Sequence, residues 1–211
     1  MFWTAIGYIL SLQFCQTPDS IHSLFSRPKY FRRKTVLCCE SAAPSGKTSK
    51  LRYSSGVAQM SFEARLAELK IILPPAPKPV ASYVPAVRAG DLLFLSGTGP
   101  FKDGKVVYTG KLGKDLTVEQ GYEAAKLTLL NALAIAKQEL GCLDQIKRVV
   151  RMSGHVASAE GFTQQPAVLN GASDLLVEIF GEAGRHARLA LGAAELPLNM
   201  AIELELILQV R

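Results

Sequence analysis

The segment 185-RHARLALGAAELPLNMAIELELIL-208 contains two strand-like runs, HARLALG and MAIELELIL, joined by a loop around Leu196-Pro197. Successive side chains of a β-strand point to opposite faces of its sheet. In the second run one face carries Ile202, Leu204, Leu206 and Leu208, and the other face carries Ala201, Glu203, Glu205 and Ile207. Because charge is costly in a protein interior, this alternation predicts a core face and a second, partly charged face.

The first run adds an arginine to this pattern. We expect the two runs to pair, with Leu189 and Leu191 pointing to the core face. Arg188 then shares the second face with Glu203 and Glu205. Helices have to cover the core face, so the chain leaves the second face bare. This face is too apolar for open water, so we expect other copies of the chain to cover it, with Arg188 and a glutamate in a partly dry cleft.

Helical and strand-like runs alternate upstream of this segment. A short helix, SFEARLAELKII, precedes three strand-like runs, YVPAVRAG, DLLFLSGT and KVVYTG, with a turn at Lys102-Asp103-Gly104. A capping box formed by Thr117 and Gln120 predicts the start of a long helix that ends near Leu140.

The order of the remaining elements predicts the fold class. The run QIKRVVRMSGHVAS reads as a strand, and a second long helix extends from Pro166 to Phe180, where Gly181 and Gly184 stop it. The order after the first helix is therefore βββαβαββ. Strands interleaved with two helices predict an α+β fold with one mixed β-sheet and two helices on one face.

The positive charge of the chain is concentrated at its N-terminus. The 211 residues include 24 Lys and Arg and 18 Asp and Glu. Residues 1–60 hold eight of these bases and two of the acids, which leaves sixteen of each for residues 61–211. Nucleic-acid binding depends on clustered Lys and Arg. The neutral domain therefore argues against a specific nucleic-acid partner.

Residues 1–60 are rich in serine and basic residues and have no sustained apolar period, as is typical of a disordered organelle transit peptide. Their nine serines, without an Arg-rich amphipathic helix, favour the chloroplast over the mitochondrion. The apolar start MFWTAIGYILSLQFC is shorter than the ~20 residues that span a bilayer, so we expect no membrane partner. The alternatives are a disordered tail, or a translation start at Met60 that leaves the protein in the cytosol. We expect a 61–211 domain in either case.

Cysteine and histidine are sparse in this domain. Only Cys142 of the four cysteines follows residue 60, which favours a reducing compartment. No metal-ligand spacing is present, so we expect neither a metal nor a cofactor. Ser153 and His155 lack a G-x-S-x-G elbow and an assignable Asp, so we interpret His155 as an interface residue. His186, two residues before Arg188, either lines the pocket or packs.

Spacing alone leaves two roles open for Arg188 and the glutamates. They form a binding or catalytic site, or they form an interfacial salt bridge that fixes assembly without chemistry. Structural ion pairs are more common than active sites, so spacing alone favours the second role.

The pattern of Arg188, Leu196-Pro197 and the I-E-L-E stretch with Glu203 and Glu205 resembles the C-terminal pattern of the RidA family. These proteins are the YjgF-like reactive-intermediate (enamine/imine) deaminases. Further matches in chain order are Tyr83 in 80-VASYVPAV-87, Gly97 in 94-FLSGTGP-100, and Asn170 before the apolar run of the second helix. The resemblance covers residues 61–211. It implies a chorismate-mutase-like, YjgF-like fold and a homotrimer with sites at the subunit interfaces.

The resemblance also implies an activity, the cofactor-free hydrolysis of reactive 2-imino or enamine acids to 2-oxo acids and ammonia. Arg188 is then expected to bind the substrate carboxylate, and Glu203 to position or deprotonate the attacking water. The resemblance adds four further residues to the substrate pocket: Tyr83, Gly97, Asn170 and Ala190.

The chain departs from the family pattern at several positions, which indicates a divergent subgroup. Leu189 replaces a small hydroxyl residue that many relatives carry, Ala190 replaces a frequent cysteine, and an N-terminal extension precedes the domain. Two alternatives to the deaminase remain open. One is a non-catalytic member that binds or senses a small carboxylate. The other is the endoribonuclease activity attached to the family by name, against which the neutral domain argues.

Overall fold

The computed structural model describes residues 61–77 and 82–211, so the predictions for residues 1–60 lie outside the described residues. This part of the chain contains three α-helices: α1 (Phe62–Glu68), α2 (Val118–Leu140) and α3 (Gln165–Phe180). The predicted capping box begins α2, because Thr117 Oγ1 accepts from Gln120 N–H and Gln120 Oε1 accepts from Thr117 N–H. Helix α3 ends in a 3₁₀ turn, Gly181–Gly184, at the predicted stop. None of the described helices is both long and apolar enough to cross a membrane.

The strands form one main sheet and a small ribbon. They are β1 (Ala86–Ala89), β2 (Leu92–Leu95), β3 (Phe101–Lys102), β4 (Lys105–Val106), β5 (Ile146–Ala157), β6 (Ala187–Ala193) and β7 (Ile202–Val210). The main sheet has the order β1-β2-β7-β5-β6, with β5 and β6 parallel and the other neighbours antiparallel. Helices α2 and α3 pack against one face of it. The predicted α+β fold with a mixed sheet is confirmed.

The third predicted strand, KVVYTG, is only partly a strand. Its first two residues form β4, which pairs with β3 in the separate ribbon. Asp103 and Gly104 both have a positive φ, 51° and 76°, which suits a two-residue hairpin turn. The end of the predicted strand forms only an isolated β-bridge, in which Thr109 pairs with Met200 just before β7. The turn was predicted correctly, and the length of the strand was not.

The pairing predicted for the two C-terminal strands is wrong. Strand β6 pairs with β5, and β7 lies on the other side of β5, between β5 and β2. Helix α3 connects β5 to β6, and a parallel pair requires a crossover of this kind. A loop containing a 3₁₀ turn, Pro197–Asn199, then carries the chain across the sheet to β7.

This pairing reverses the face assigned to Arg188. Met152 of β5 pairs with Arg188 on one side and with Leu206 on the other, so these three side chains share a face. Leu206 is buried beneath the helices. The next residues along, Leu189 and Glu205, therefore point to the opposite face. The predictions that Arg188 shares the glutamate face and that Leu189 points to the core are wrong.

The helix-covered face of the sheet forms the core. The leucines of β7 on this face, Leu204, Leu206 and Leu208, are buried as predicted. Helix α3 approaches the sheet closely at Gly154, where a Cβ atom would overlap the side chains of Leu169 and Leu204. The chain thus closes this face with its own helices.

The opposite face, which we call the bare face, has no helix packed on it within the described residues. It exposes large apolar side chains: Val87 is 53% exposed, Phe94 40% and Leu191 45%. Val87, Phe94 and Ile207 are direct neighbours across β1, β2 and β7. A contiguous exposed apolar surface of this kind is typical of a protein–protein contact.

Candidate functional site

Arg188 is held in place by two side chains of α3. Its Nη1 donates to Asn170 Oδ1 at 2.8 Å and to Ser173 Oγ at 3.1 Å. The structure therefore brings together two of the residues that the sequence resemblance selects, Arg188 and Asn170. Arg188 is exposed at the sheet edge, and no carboxylate of the described residues lies within ion-pair distance of it.

Ser173 was not among the residues that the sequence selects. It lies three positions after Asn170, and helical residues at this spacing share one side of a helix. This spacing is the only sequence signal that points to it. Its Oγ also lies 3.2 Å from His186 Nε2, so His186 borders the same cluster.

Ala190 follows Arg188 by two positions in β6 and shares its face. It pairs with Gly154 and packs, half-buried, against the core under α3. Its small side chain is compatible with the close packing at Gly154. We refer to Arg188, Asn170, Ser173 and Ala190 as the arginine group.

Glu203 lies on the bare face in the central strand β7. It pairs with His155 of β5, and a Cβ atom at Gly97 would overlap its carboxylate. A side chain at position 97 would therefore displace the carboxylate, which explains why glycine suits this position. Gly97 and Glu203, which the resemblance names separately as site residues, are thus in direct contact.

The surroundings of Glu203 change its acidity. Burial of the carboxylate is the largest influence and raises the pKa of Glu203 above the ordinary value of 4.5. The charge of His155 opposes this rise, and the charge of Glu205 adds to it. A carboxyl group with a raised pKa exchanges protons closer to neutral pH, which suits general acid–base chemistry.

Tyr83 lies in the segment that leads into β1, and this segment runs beside the end of β2. Ser96 holds this segment against the end of β2, because its N–H donates to Pro85 O at 2.9 Å and its Oγ donates to Val84 O at 2.8 Å. Tyr83 precedes Val84 and Gly97 follows Ser96, so Tyr83 and Gly97 belong to the two segments that these hydrogen bonds join. We refer to Glu203, Gly97 and Tyr83, which is 45% exposed, as the glutamate group.

The arginine group and the glutamate group do not meet within one chain. Arg188 and Glu203 point to opposite faces of the sheet, and their strands are separated by β5. Arg188 is level with Met152 in β5, and Glu203 is level with His155, three residues further along. With ~3.3 Å per residue and ~4.8 Å between strands, the two Cα atoms are roughly 14 Å apart.

Ser153 and His155 lie on the bare face in the middle of the sheet. Ser153 is buried, and its Oγ has no hydrogen-bond partner among the described residues. It pairs with Glu205 and Leu189, whereas His155 pairs with Glu203 and Leu191. The structure forms no Ser–His hydrogen bond here, in agreement with the rejection of a hydrolase triad.

Comparison with known proteins gives a family match over almost the whole domain. The family profile described as "YjgF/chorismate_mutase-like, putative endoribonuclease" matches residues 63–209. This range begins just after residues 1–60, which therefore form an N-terminal extension to the family domain.

Individual relatives give the same assignment. Protein TCP17 of Trypanosoma cruzi is 42% identical over 157 residues, which cover 74% of this chain and 98% of that protein. A crystal structure from Shewanella oneidensis, also described as a "putative endoribonuclease", has 39% identity and a TM-score of 0.70, and the match covers 72% of this chain and all of that one. The protein Atu1372 of Agrobacterium tumefaciens, described as of unknown function, has 43% identity and a TM-score of 0.66, covering 71% and 92%. The chain therefore belongs to the YjgF/RidA-like family.

Proposed function

We propose that the protein is a deaminase that hydrolyses reactive 2-imino or enamine acids to 2-oxo acids and ammonia, in a site built between copies of a homotrimer. The observation that carries this proposal is that the guanidinium of Arg188 is fixed in place but has no carboxylate partner among the described residues. Its guanidinium is held by two neutral side chains of α3, and no described carboxylate neutralises it. A fixed, exposed guanidinium of this kind is suited to binding the carboxylate of a small acid.

The hydrogen bonds of Arg188 support a two-point clamp. Both described bonds use Nη1, so Nε and Nη2 remain available on the other edge of the guanidinium. These two N–H groups are parallel and match the two oxygens of a carboxylate. A lysine at this position would keep the charge and lose this geometry.

Glu203 is the proposed general base. Its carboxylate accepts a proton from water as the water oxygen bonds to the carbon of the protonated imine, which gives a carbinolamine. Glu203 then returns the proton to the nitrogen. The C–N bond breaks as the C=O bond forms and the hydroxyl proton passes back to the Glu203 carboxylate, which releases ammonia and the 2-oxo acid. The raised pKa of Glu203 favours the first transfer, because the carboxylate is a stronger base than an ordinary glutamate.

The two groups have to be combined by assembly. Arg188 and Glu203 lie on opposite faces of one sheet, so a site that uses both needs a second copy. The exposed apolar side chains of the bare face, Val87, Phe94 and Leu191, supply a surface for this contact. Ser153 Oγ, buried without a described partner, is a candidate for a polar contact across it.

The direct test is an assay of imine decay. A dehydratase generates the 2-imino acid, semicarbazide traps the fraction that survives, and the purified full chain competes for it. We expect the chain to lower semicarbazone formation in proportion to its concentration. 2-Oxobutanoate, a simple 2-oxo acid product, serves as a binding probe. If wild-type protein gives the same trapping as buffer but binds 2-oxobutanoate, and Arg188→Ala does not bind it, the protein is a carboxylate-binding member without catalysis.

Endoribonuclease activity is the second candidate, because the matched family profile and the Shewanella protein carry that description. The balanced charge of residues 61–211 gives little attraction for phosphates. We expect the protein to leave single-stranded RNA intact under conditions in which it accelerates imine decay. RNA cleavage lost in Glu203→Gln would favour the second candidate.

We also propose that residues 1–60 direct the protein to an organelle, the chloroplast in the first instance. Their serine content and their excess of basic over acidic residues support this proposal. A fluorescent protein fused behind residues 1–60 is expected in chloroplasts. Mitochondrial or cytosolic fluorescence would contradict the chloroplast assignment.

A further inference from the structure

One of the two α3 side chains that hold Arg188 also contacts a histidine. Ser173 Oγ lies 3.2 Å from His186 Nε2, and His186 Nδ1 lies 2.6 Å from the carbonyl oxygen of Gly184. Arg188 Nη1 donates to the same Ser173 Oγ at 3.1 Å. A continuous chain of hydrogen bonds thus joins the 3₁₀ turn after α3 to the guanidinium.

The direction of each hydrogen bond in this chain follows from elementary chemistry. A carbonyl oxygen only accepts, so His186 carries its proton on Nδ1 and donates it to Gly184 O. Nε2 of the neutral ring is then an acceptor, and the Ser173 hydroxyl donates to it. The lone pairs of Ser173 Oγ remain free to accept from Arg188, which is always a donor.

This arrangement determines which edge of Arg188 faces a ligand. Nη1 has two hydrogens, and Asn170 Oδ1 and Ser173 Oγ accept both. The guanidinium plane is thereby fixed, and the edge formed by Nε and Nη2 has no partner among the described residues. Without Ser173, Nη1 would regain a free hydrogen and the guanidinium could rotate about its long side chain.

We propose that Ser173 and His186 are positioning residues that orient Arg188 for carboxylate binding. His186 accepts the hydroxyl hydrogen of Ser173, so that the Ser173 oxygen presents its lone pairs to Arg188. The inference rests on the proposed function, since it assigns Arg188 the substrate carboxylate. Neither residue contacts the Nε–Nη2 edge of Arg188, where the carboxylate is expected, so each acts through Arg188. The pair therefore tunes affinity for the carboxylate and leaves the chemical step to Glu203.

The variants separate positioning from folding. We expect Ser173→Ala to raise KM for the 2-imino acid about tenfold, with kcat within about twofold of wild type, because one hydrogen bond to a charged group is lost. Ser173→Thr keeps the hydroxyl and should restore KM. His186→Ala should raise KM about threefold, and His186→Gln, which offers an amide oxygen to the hydroxyl, less than that.

A matched control lies next to Ser173 on the same helix. Asp174 accepts a hydrogen bond from Tyr122 Oη at 3.0 Å and makes none to Arg188, so Asp174→Asn should leave KM unchanged. Dissociation constants for 2-oxobutanoate, measured by NMR titration of the full chain, should follow the KM values. Thermal melts and sedimentation of every variant report whether fold and assembly are retained.

A double-mutant cycle gives the decisive comparison. If Ser173 acts through Arg188, Ser173→Ala should have no further effect on 2-oxobutanoate binding in an Arg188→Ala background. An equal loss in both backgrounds, or unchanged KM in Ser173→Ala and His186→Ala, would overturn the inference alone. Wild-type protein that neither hydrolyses imine nor binds 2-oxobutanoate would overturn the proposed function and the inference together.

Discussion

The two faces of the main sheet differ in what covers them. The helices of the same chain cover one face, where the leucines of β7 and the side chains of α3 are buried from water. The bare face carries equally apolar residues, yet Phe94 and Leu191 remain 40% and 45% exposed. The difference separates a face that stabilises the fold of one chain from a face that we propose as the surface for association.

The charged residues follow the same division. Arg188 belongs to the helix-covered side but lies at the edge strand, where α3 orients it and leaves it accessible. Glu203 belongs to the bare face, in the central strand, where burial raises its pKa. Each face therefore contributes one half of the proposed site, and only association of copies combines the halves.

A charge placed on the bare face is expected to have the largest effect. Phe94→Glu would bury a carboxylate in the proposed contact between copies, which costs several kcal/mol when the charge is unpaired. We expect loss of the trimer in sedimentation and, with it, loss of imine hydrolysis. Val177→Glu is the matched control, because Val177 is 39% exposed on α3 and should tolerate the charge without dissociation. A Phe94→Glu trimer with full activity would show that the bare face is not the contact.

Removal of the proposed base comes next in magnitude. Glu203→Gln keeps the size of the side chain and removes its ability to take a proton, so kcat should fall by about 10²-fold or more. The dissociation constant for 2-oxobutanoate should stay close to wild type, because Arg188 is unchanged. An unaltered kcat would exclude Glu203 as the base.

Substitution of Arg188 should act on binding. Arg188→Ala is expected to lower kcat/KM by at least about two decades, since two hydrogen bonds between charged partners are lost at roughly 1.5–3 kcal/mol each. Arg188→Lys should fall between Ala and wild type, and both variants should remain trimeric. If Arg188→Ala dissociates the trimer while its remaining trimers keep full activity, the arginine is an assembly residue, as in the salt-bridge interpretation.

A smaller effect concerns the pH dependence of stability. Because the folded protein raises the pKa of Glu203, it holds this proton more tightly than the unfolded chain does. The wild-type free energy of unfolding should therefore decrease relative to Glu203→Gln as pH rises above about 4.5, the ordinary glutamate value, and the difference should level off above the folded pKa. Denaturant titrations at fixed protein concentration measure this difference. A difference that does not change with pH would contradict the burial of the carboxylate.

The contrast between β7 and β6 explains what the sequence could predict. Strand β7 lies inside the sheet with one face fully covered, so its alternation assigned Glu203 and Leu204 to the correct faces. Strand β6 is an edge strand whose two faces are both partly open, so its alternating leucines carried no information about which face the helices cover. The apolar residue Leu191 lies on the bare face and does not point to the core.

The partner of β6 could not be predicted from local patterns either. A short loop between two strand-like runs suggests a hairpin, and only the crossover through α3 shows that β6 pairs with β5. The contact of Gly97 with Glu203 and that of Asn170 with Arg188 both join residues distant in sequence. Resemblance to a family selected Gly97 and Asn170, whereas strand alternation had singled out only Arg188 and the glutamates.

The central claim is that Arg188 of one copy and Glu203 of another complete the same site, and mixed trimers test it most directly. Equal amounts of the Arg188→Ala and Glu203→Gln chains, each nearly inactive alone, are unfolded together and refolded so that copies assort at random. A site built between copies then receives an intact arginine from one chain and an intact glutamate from its neighbour in about one case in four. We predict recovery of about a quarter of wild-type kcat/KM. Activity no higher than that of the separate variants, in trimers shown to be mixed, would contradict the claim.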